Sequence, residues 1–415
     1  MKPIVTYLSG LFSKLTESRR IVALIWFGFA LYGGLRMIAA GKINNYIIFK
    51  HVYIHVVNGS NLYVTYPAEY SDVNLYGPFF SLVIAPFSYL PDTPGCLLWV
   101  LASAMFLYFA ITKLPISERW KNIMLLLSCG ELMTTSDAMQ TNALVCACIL
   151  LGFSYTRKRK EIWALFFILA AAFIKIYGIA GLAFFLFSKR KPFFLAWAAA
   201  WTVVFFFAPL VLTNFNFLVQ SYADWYEGLR IKEVKNIHIV REDWHQNLSL
   251  FGMIRRIFNV TSLNEGLILF PAFLLFVSQY LQYKYANDLR YQLYLLSAVL
   301  ISVVIFSTGS EPSTYIIAVP GMILWYLLQP KSKWVIVFFT AAFLVTSFTY
   351  SDIFTPWTRM HITKPYGLKA FFPFVIWIMI LVQVHSRQFL KALQPFGRMK
   401  LASLNLTATS NAVAR

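Results

Sequence analysis

The sequence predicts an all-α integral membrane protein with about 12 transmembrane helices, several of them short or broken. Three observations carry this reading. The 415 residues are 59% hydrophobic and only 13% charged, where soluble domains carry roughly 25% charged residues, and the mean hydropathy is +0.63. Apolar runs of about 15–25 residues alternate with short charged turns, and the strand-period alternation of a membrane barrel is absent. The most basic turns, at 157–160, 189–191, 331–333 and in the tail, all fall on one side of such a bundle, which places both termini inside. The chain reads as one membrane domain, 1–415, with extracytoplasmic loops at 41–77 and 214–264 that carry interfacial helices, and a basic cytoplasmic tail at 386–415 that is partly disordered.

In order, residues 21–39 follow Lys14, Arg19 and Arg20 and read as a signal anchor running outward. The first loop, 41–77, has apolar residues at helical spacing between Asn45 and Val57, fitting either an interfacial helix or a packed loop helix. Segment 78–90, the turn PDTPG (91–95) and segment 96–112 read as a helical hairpin, which places KLPISERWK (113–121) outside. Segment 122–155, interrupted by TTSDAMQTN (134–142), reads as one broken helix descending to TRKRKE. The short segments 162–174 and 177–188 meet at Lys175, and 193–213 rises to the long polar loop 214–264. Crossings at 266–283, 291–307, 314–328, 333–350 and 366–384 complete the bundle. No repeat suggests a two-fold transporter.

The net charge of +19 does not indicate nucleic acid, because membrane topology explains many of the bases and those in outer loops can meet phosphate. Cys96, Cys129, Cys146 and Cys148 lie in or beside apolar runs and read as small core residues.

The polar residues assigned to the outer side come from distant segments that a helical bundle can gather into one cavity. Asp72, between Tyr70 and Tyr76 just before a membrane entry, is the candidate base for an acceptor hydroxyl; a solvated loop carboxylate is the plainer reading, and Glu69 competes. Lys175 sits between two short apolar helices, where an ammonium is costly unless paired or hydrated; it could neutralise a phosphate, the plainer reading being a lysine that snorkels to the interface. Gln140 and Asn142 interrupt an apolar helix with amides suited to sugar hydroxyls or to interhelical hydrogen bonds. His245, Gln246, Asn247 and Ser249 form a polar cluster, His245 being a candidate donor to phosphate. Arg255 and Arg256, on the following amphipathic stretch, read as headgroup contacts. Glu311 opens a helix ahead of Pro312 and is a minority candidate for sugar binding.

These residues stand in stretches that resemble glycosyltransferase family 87. Leu75–Pro91 (LYGPFFSLVIAPFSYLP) is similar to that family's proline-rich membrane entry, and Met139-Gln140-Thr141-Asn142 to its Gln-x-Asn helix break. Lys175-Ile176-Tyr177-Gly178 resembles its lysine segment ahead of a basic turn, and His245-Gln246-Asn247-Leu248-Ser249 its Gln-Ser motif. The resemblance implies a GT-C-type bundle and inverting transfer of mannose or a similar sugar from a polyprenyl-phosphate donor to a glycolipid or glycan hydroxyl, in cell-envelope synthesis. The enzyme would lie in the plasma membrane among its lipids, with the site extracytoplasmic and no cofactor or metal, no Asp-x-Asp pair being present in the outer loops. The chain departs from the family at Asn44-Asn45-Tyr46, where the first loop often carries an aspartate. An amide is no base, which leaves Asp72 as the nearest substitute. In this reading Lys175 and His245 bind the donor phosphate, and Gln140, Asn142, Tyr76, Gln246, Asn247 and Glu311 bind sugar or acceptor. The rival readings are a multi-span transporter or flippase of lipid-linked solutes, and a scaffold that has kept the fold without the base.

Overall fold

The computed structural model describes residues 15–238, 244–260, 262–330, 332–350 and 354–390. Arg241, Glu242 and Asp243 of the polar run, and the tail from 391, lie outside them. Among the described residues the chain is helical, with no strand. Five helices are long and apolar enough to cross a membrane: Arg19–Ala39, Asp92–Thr112, Lys191–Val211, Gly266–Tyr285 and Leu368–His385. Shorter apolar helices pack among them.

α1 (Arg19–Ala39) begins where the Ser18 hydroxyl accepts from the backbone of Ile21. At about 1.5 Å per residue its 21 residues are roughly as long as a bilayer core is thick. α2 (Asn44–Asn58) follows and ends at Gly59, whose φ of +66° is the left-handed conformation that closes a helix. One face of α2, including Phe49 and Val52, is buried in the bundle.

The first departure from the sequence reading comes next. α3 (Phe80–Ser88) folds back against α4 (Asp92–Thr112), with the Phe80 and Phe87 rings 5.8 and 5.4 Å from that of Trp99, but it does not form the membrane-crossing arm of a hairpin. It is nine residues long with Pro86 inside it, too short to cross, and it packs along α2. The Tyr46 hydroxyl donates to Phe87 O (2.9 Å), and Lys50 pairs with Asp92 (2.7 Å). α4 then runs antiparallel to α1, since Trp26 donates to Ala104 O (3.0 Å) and Arg19 to the Tyr108 hydroxyl (3.1 Å). The turn 113–121 therefore lies at the same end as Arg19, where Asn122 donates to Thr16 O (2.9 Å), and not at the opposite end.

The second departure is that 122–155 is two helices. α5 (Glu118–Asp137) runs parallel to α1, and Arg36 pairs with Asp137 at its far end. The chain turns through Met139, at φ +53°, and α6 (Asn142–Arg157) returns. The hydropathy of this stretch is continuous enough to read as one element, but Asp137, Gln140 and Asn142 each find a polar partner at the turn.

α7 (Glu161–Ile174) leads back to Lys175, whose extended backbone (φ −147°, ψ 122°) ends the helix. A 3₁₀ helix, Ile176–Phe187, then folds down along α7 until Ser188 donates to Glu161 (3.1 Å). α8 (Lys191–Phe207) leads to α9 (Phe215–His238), and α10 (Leu250–Phe258) completes the long polar region. The remaining elements are α11 (Gly266–Ser278), α12 (Leu289–Ile305), α13 (Tyr315–Leu327), α14 (Lys333–Phe348) and α15 (Phe371–His385). Arg157 donates to Gln292 (2.7 Å) and Arg290 to Phe389 O (3.2 Å), so the turns bearing the basic clusters meet at one end of the bundle.

Arg255 and Arg256 are not placed to meet lipid headgroups. Both are 1% exposed. Arg255 pairs with Glu265, and Arg256 donates to Asn247 O (2.8 Å) and Gln246 O (2.7 Å). α10 is amphipathic, but its polar side holds neighbouring chain segments instead of facing outward. The four cysteines are buried free thiols, as small core residues would be.

Candidate active site

The end opposite the basic turns is tied together by polar contacts between distant segments. Gly77 N donates to Ile174 O (3.2 Å), fixing the end of the first loop against the Lys175 break. A Cβ at Gly77 would stand 2.2 Å from Phe173 O, so no larger residue fits this approach. Thr135 donates to Ser313 O (2.7 Å), Leu248 N to Ser310 O (2.7 Å), and Trp225 to Leu75 O (3.0 Å). Five parts of the chain thus converge around a cavity of about 1210 Å³.

Asp72, Tyr76, Gln140, Lys175, Gln246 and Glu311 all line this cavity. Asp72 is exposed, and one carboxylate oxygen accepts from the backbone of Val73 (2.8 Å), leaving the other open. The Tyr76 hydroxyl donates to Gln140 Oε1. Burial pushes the Tyr76 phenol well above its usual range, so it remains a neutral donor. Lys175 Nζ donates to Asn142 Oδ1 (3.2 Å) and lies over the Tyr177 ring at 4.9 Å. It makes no ion pair among the described residues, and the charge of Glu311 acts on it from across the cavity. Glu311 accepts from Gln246 (3.2 Å) and also caps the turn Pro312–Thr314, so the helix-start reading of this residue holds.

Three of the residues singled out in the sequence do not line the cavity. Asn142 is fully buried, and it donates to Ser313 Oγ (3.1 Å) while accepting from Lys175. It therefore orients the lysine and is not open to a sugar. Asn247 is 1% exposed and holds Asn236 O (2.9 Å) and Ser249 Oγ (2.7 Å). His245 is exposed, with its ring 5.3 Å from that of Tyr350, and is not among the residues that line the cavity.

The structure adds groups that the sequence did not single out. α9 lies along the cavity and contributes Arg230, Lys232 and Glu233 to its lining, and Glu265 adds a further carboxyl. Thr308 donates to Glu233. Burial raises the Glu265 carboxyl above the usual carboxylate range, with Arg255 opposing and Glu233 reinforcing the shift. α9 mixes charged residues with exposed apolar ones such as Phe215, Val219, Tyr226, Ile231 and Val234, so its pattern offered no signal that one face covers a cavity. Glu69, the competitor of Asp72, is instead paired with His55 (2.9 Å) away from the lining. Asn45, where the resembled family often has aspartate, does face the cavity, with its amide donating to Ala138 O (2.8 Å).

From the polar end the cavity continues as an apolar groove. Ile179 and Ala183 of the 3₁₀ helix form one side, Phe273 and Phe276 of α11 another, and Val299 and Val303 of α12 its floor. Ile179 and Phe273 are more than half exposed, so the groove opens sideways between helices. The site can accordingly take a molecule with an anionic or sugar head and a long apolar chain.

No curated protein matches the chain. The model of glycosyltransferase family 87 does match it, over residues 74–308. That segment begins at the membrane entry, contains Gln140, Lys175, Gln246 and the whole of α9, and makes up more than half of the 415 residues. This protein, with its apolar helices of membrane-spanning length, belongs to glycosyltransferase family 87 and is a membrane glycosyltransferase.

Proposed function

We propose that the protein transfers a sugar, mannose or a similar hexose or pentose, from a polyprenyl-phosphate donor to the hydroxyl of a glycolipid or glycan acceptor, with inversion. The observation that carries this reading is a single cavity, lined by Asp72 and Lys175, that runs on into an apolar groove open to the side. A prenyl chain fits the groove, and a phosphate fits an ammonium that has only a neutral hydrogen-bond partner.

In the reaction the Asp72 carboxylate takes the proton of the acceptor hydroxyl. The acceptor oxygen attacks the anomeric carbon from the face opposite the phosphate, and the bond from that carbon to the phosphate oxygen breaks. Polyprenyl monophosphate leaves, and Lys175 stabilises its charge. Tyr76, Gln140 and Gln246 offer donors and acceptors for sugar hydroxyls. Asn142 keeps Lys175 in place, and His245 has no part.

The bundle is of GT-C type, with about twelve traverses that include the short α6, α7 and the 3₁₀ helix. The basic turns face the cytoplasm and the cavity faces the outside of the plasma membrane, in accord with the positive-inside rule, as suits cell-envelope synthesis. Purified protein in nanodiscs, given a set of polyprenyl-phosphate sugars, will release polyprenyl monophosphate and glycosylate an acceptor. Asp72→Asn is expected to lower transfer by about 10²–10⁴-fold. Unchanged transfer by that variant removes Asp72 from the mechanism, and transport of the intact lipid without cleavage favours a flippase.

A further inference from the structure

The carboxylates and the ammonium groups of the cavity are differently provided for. Glu311 accepts from Gln246 (3.2 Å), Glu233 accepts from Thr308, and Glu265 pairs with Arg255. Lys175 has the neutral amide of Asn142 and the faces of the Tyr177 and Tyr76 rings, and no ion pair among the described residues. Lys232, half-buried on α9, lines the same cavity with no hydrogen bond or ion pair to any described residue. Both ammonium groups thus face one cavity from different elements. Two like charges facing one space favour an anion between them, beyond what the Glu311 carboxyl in the same lining supplies, and together they keep most of their N–H donors unused.

The elements that carry them differ in how they are held. Lys175 ends α7 inside the bundle, whereas α9 buries only Leu218, Ser221 and Asn236 of its 24 residues. Polar ties to the rest of the site, from Asp224 to Asn61 (2.9 Å), from Trp225 to Leu75 O (3.0 Å) and from Glu233 to Thr308, hold it over the cavity.

We propose that Lys232 is the second half of a phosphate clamp, which grips the monophosphate head of the lipid carrier between α9 and Lys175 and so draws α9 down over the loaded site. This rests on the reading that the donor is a polyprenyl phosphate. The clamp is made of one fixed and one carried cation, so binding of the head and closing of the cover are one event. An N⁺–H···O⁻ contact to phosphate is among the stronger hydrogen bonds a side chain makes.

The test uses the full chain in nanodiscs and measures binding of a short polyprenyl monophosphate without sugar, the matching neutral prenol, and inorganic phosphate. Hydrogen exchange of the α9 amides is followed in parallel. Lys232→Gln and Lys175→Gln are each expected to weaken monophosphate binding by about 10-fold or more while leaving prenol binding unchanged, and Lys232→Arg is expected to retain it. Monophosphate is expected to slow exchange in α9 of the wild type but not of Lys232→Gln. Retained phosphate binding by Lys232→Gln, with loss in Lys175→Gln, overturns the clamp and leaves the proposed function standing. A wild type that does not distinguish monophosphate from prenol overturns both. Inorganic phosphate competing as well as the lipid would assign the cations to free phosphate and overturn the lipid clamp. Unchanged exchange in α9 on binding overturns the closing.

Discussion

The cavity is built from two unlike halves. α6, which stands behind the wall and holds Lys175 through Asn142, buries 13 of its 16 residues, whereas α9, which lies along the cavity, buries three of 24. On the wall each polar group is placed by a second one: Lys175 by Asn142, Asn142 by Ser313, and Tyr76 by Gln140. On the cover the side chains that face the cavity include a lysine without a partner among the described residues, and the helix is held by a few polar ties. The difference suits each half to a different part of the proposed reaction. A wall whose groups cannot reorient is suited to stabilising charge that develops during reaction, because its dipoles are already aligned. A loosely held cover is suited to admitting a lipid-linked substrate and retaining it, as lids do.

This contrast predicts two kinds of kinetic defect. The largest effect is expected on the wall. Lys175→Gln keeps length and hydrogen bonding but removes the charge opposite the leaving phosphate, and kcat is expected to fall by about 10²–10³-fold. Steady-state and single-turnover assays of sugar transfer measure it, and an increase in KM with an unchanged kcat would move Lys175 from reaction to simple binding. Asn142→Ala should act through the lysine. It removes the oxygen that accepts from Nζ and strands the buried Ser313 hydroxyl, so kcat is expected to fall by about 10-fold and stability by about 1–3 kcal/mol. A stability loss with kcat intact would leave Asn142 a packing residue only.

The cover should respond differently. Asp224→Ala frees the Asn61 amide, and Trp225→Phe removes the donor to Leu75 O. Either variant is expected to raise KM for the lipid donor by about 3–10-fold, with kcat within about twofold of wild type. Equal losses in kcat and kcat/KM would mean that α9 takes part in the transition state, and the division between wall and cover would fall.

What the sequence disclosed divides along the same line. The wall was legible because its polar residues interrupt apolar runs: Gln140 and Lys175 are conspicuous where lipid or packed helices surround them, and both reach the cavity. The cover was not. A charged residue in a helix that mixes charged and apolar residues on all sides carries no periodic signal, so Lys232 and Glu233 read as any solvated pair. The bundle was misread where local patterns have two solutions. Segment 78–90 is as apolar as a span, but its helix is only nine residues long and packs on α2. The stretch 122–155 reads as one traverse broken at 134–142; the break is where the structure has it, but the turn at Met139 has neither glycine nor proline to mark that the chain reverses there. Arg255 and Arg256 were assigned to lipid because an amphipathic face does not say whether its polar side meets water, headgroups or the backbone of another loop. The family match starts at residue 74, so neither Asp72 nor Asn45 falls within it. Asp72 rests on its place in the cavity and on chemistry alone.

The smallest expected effect tests the boundary of the site. His245 belongs to the same polar cluster as Gln246, one residue away, yet only Gln246 lines the cavity. The backbone reverses between them and Leu248: Asn247 sits at φ +50°, and the Arg256 guanidinium holds both the Gln246 and Asn247 carbonyls. This clamp turns Gln246 toward Glu311 and leaves His245 outward beside Tyr350. A substitution at an exposed position away from such features changes free energies by about 0.5 kcal/mol or less, which is about a twofold change in rate. His245→Ala is therefore expected to transfer sugar within about twofold of wild type. Gln246→Ala, which leaves Glu311 without its amide donor, should lower kcat/KM by about 10-fold. If the two variants exchange these effects, the loop reverses its facing in the working enzyme and the phosphate site must be redrawn to include the imidazole.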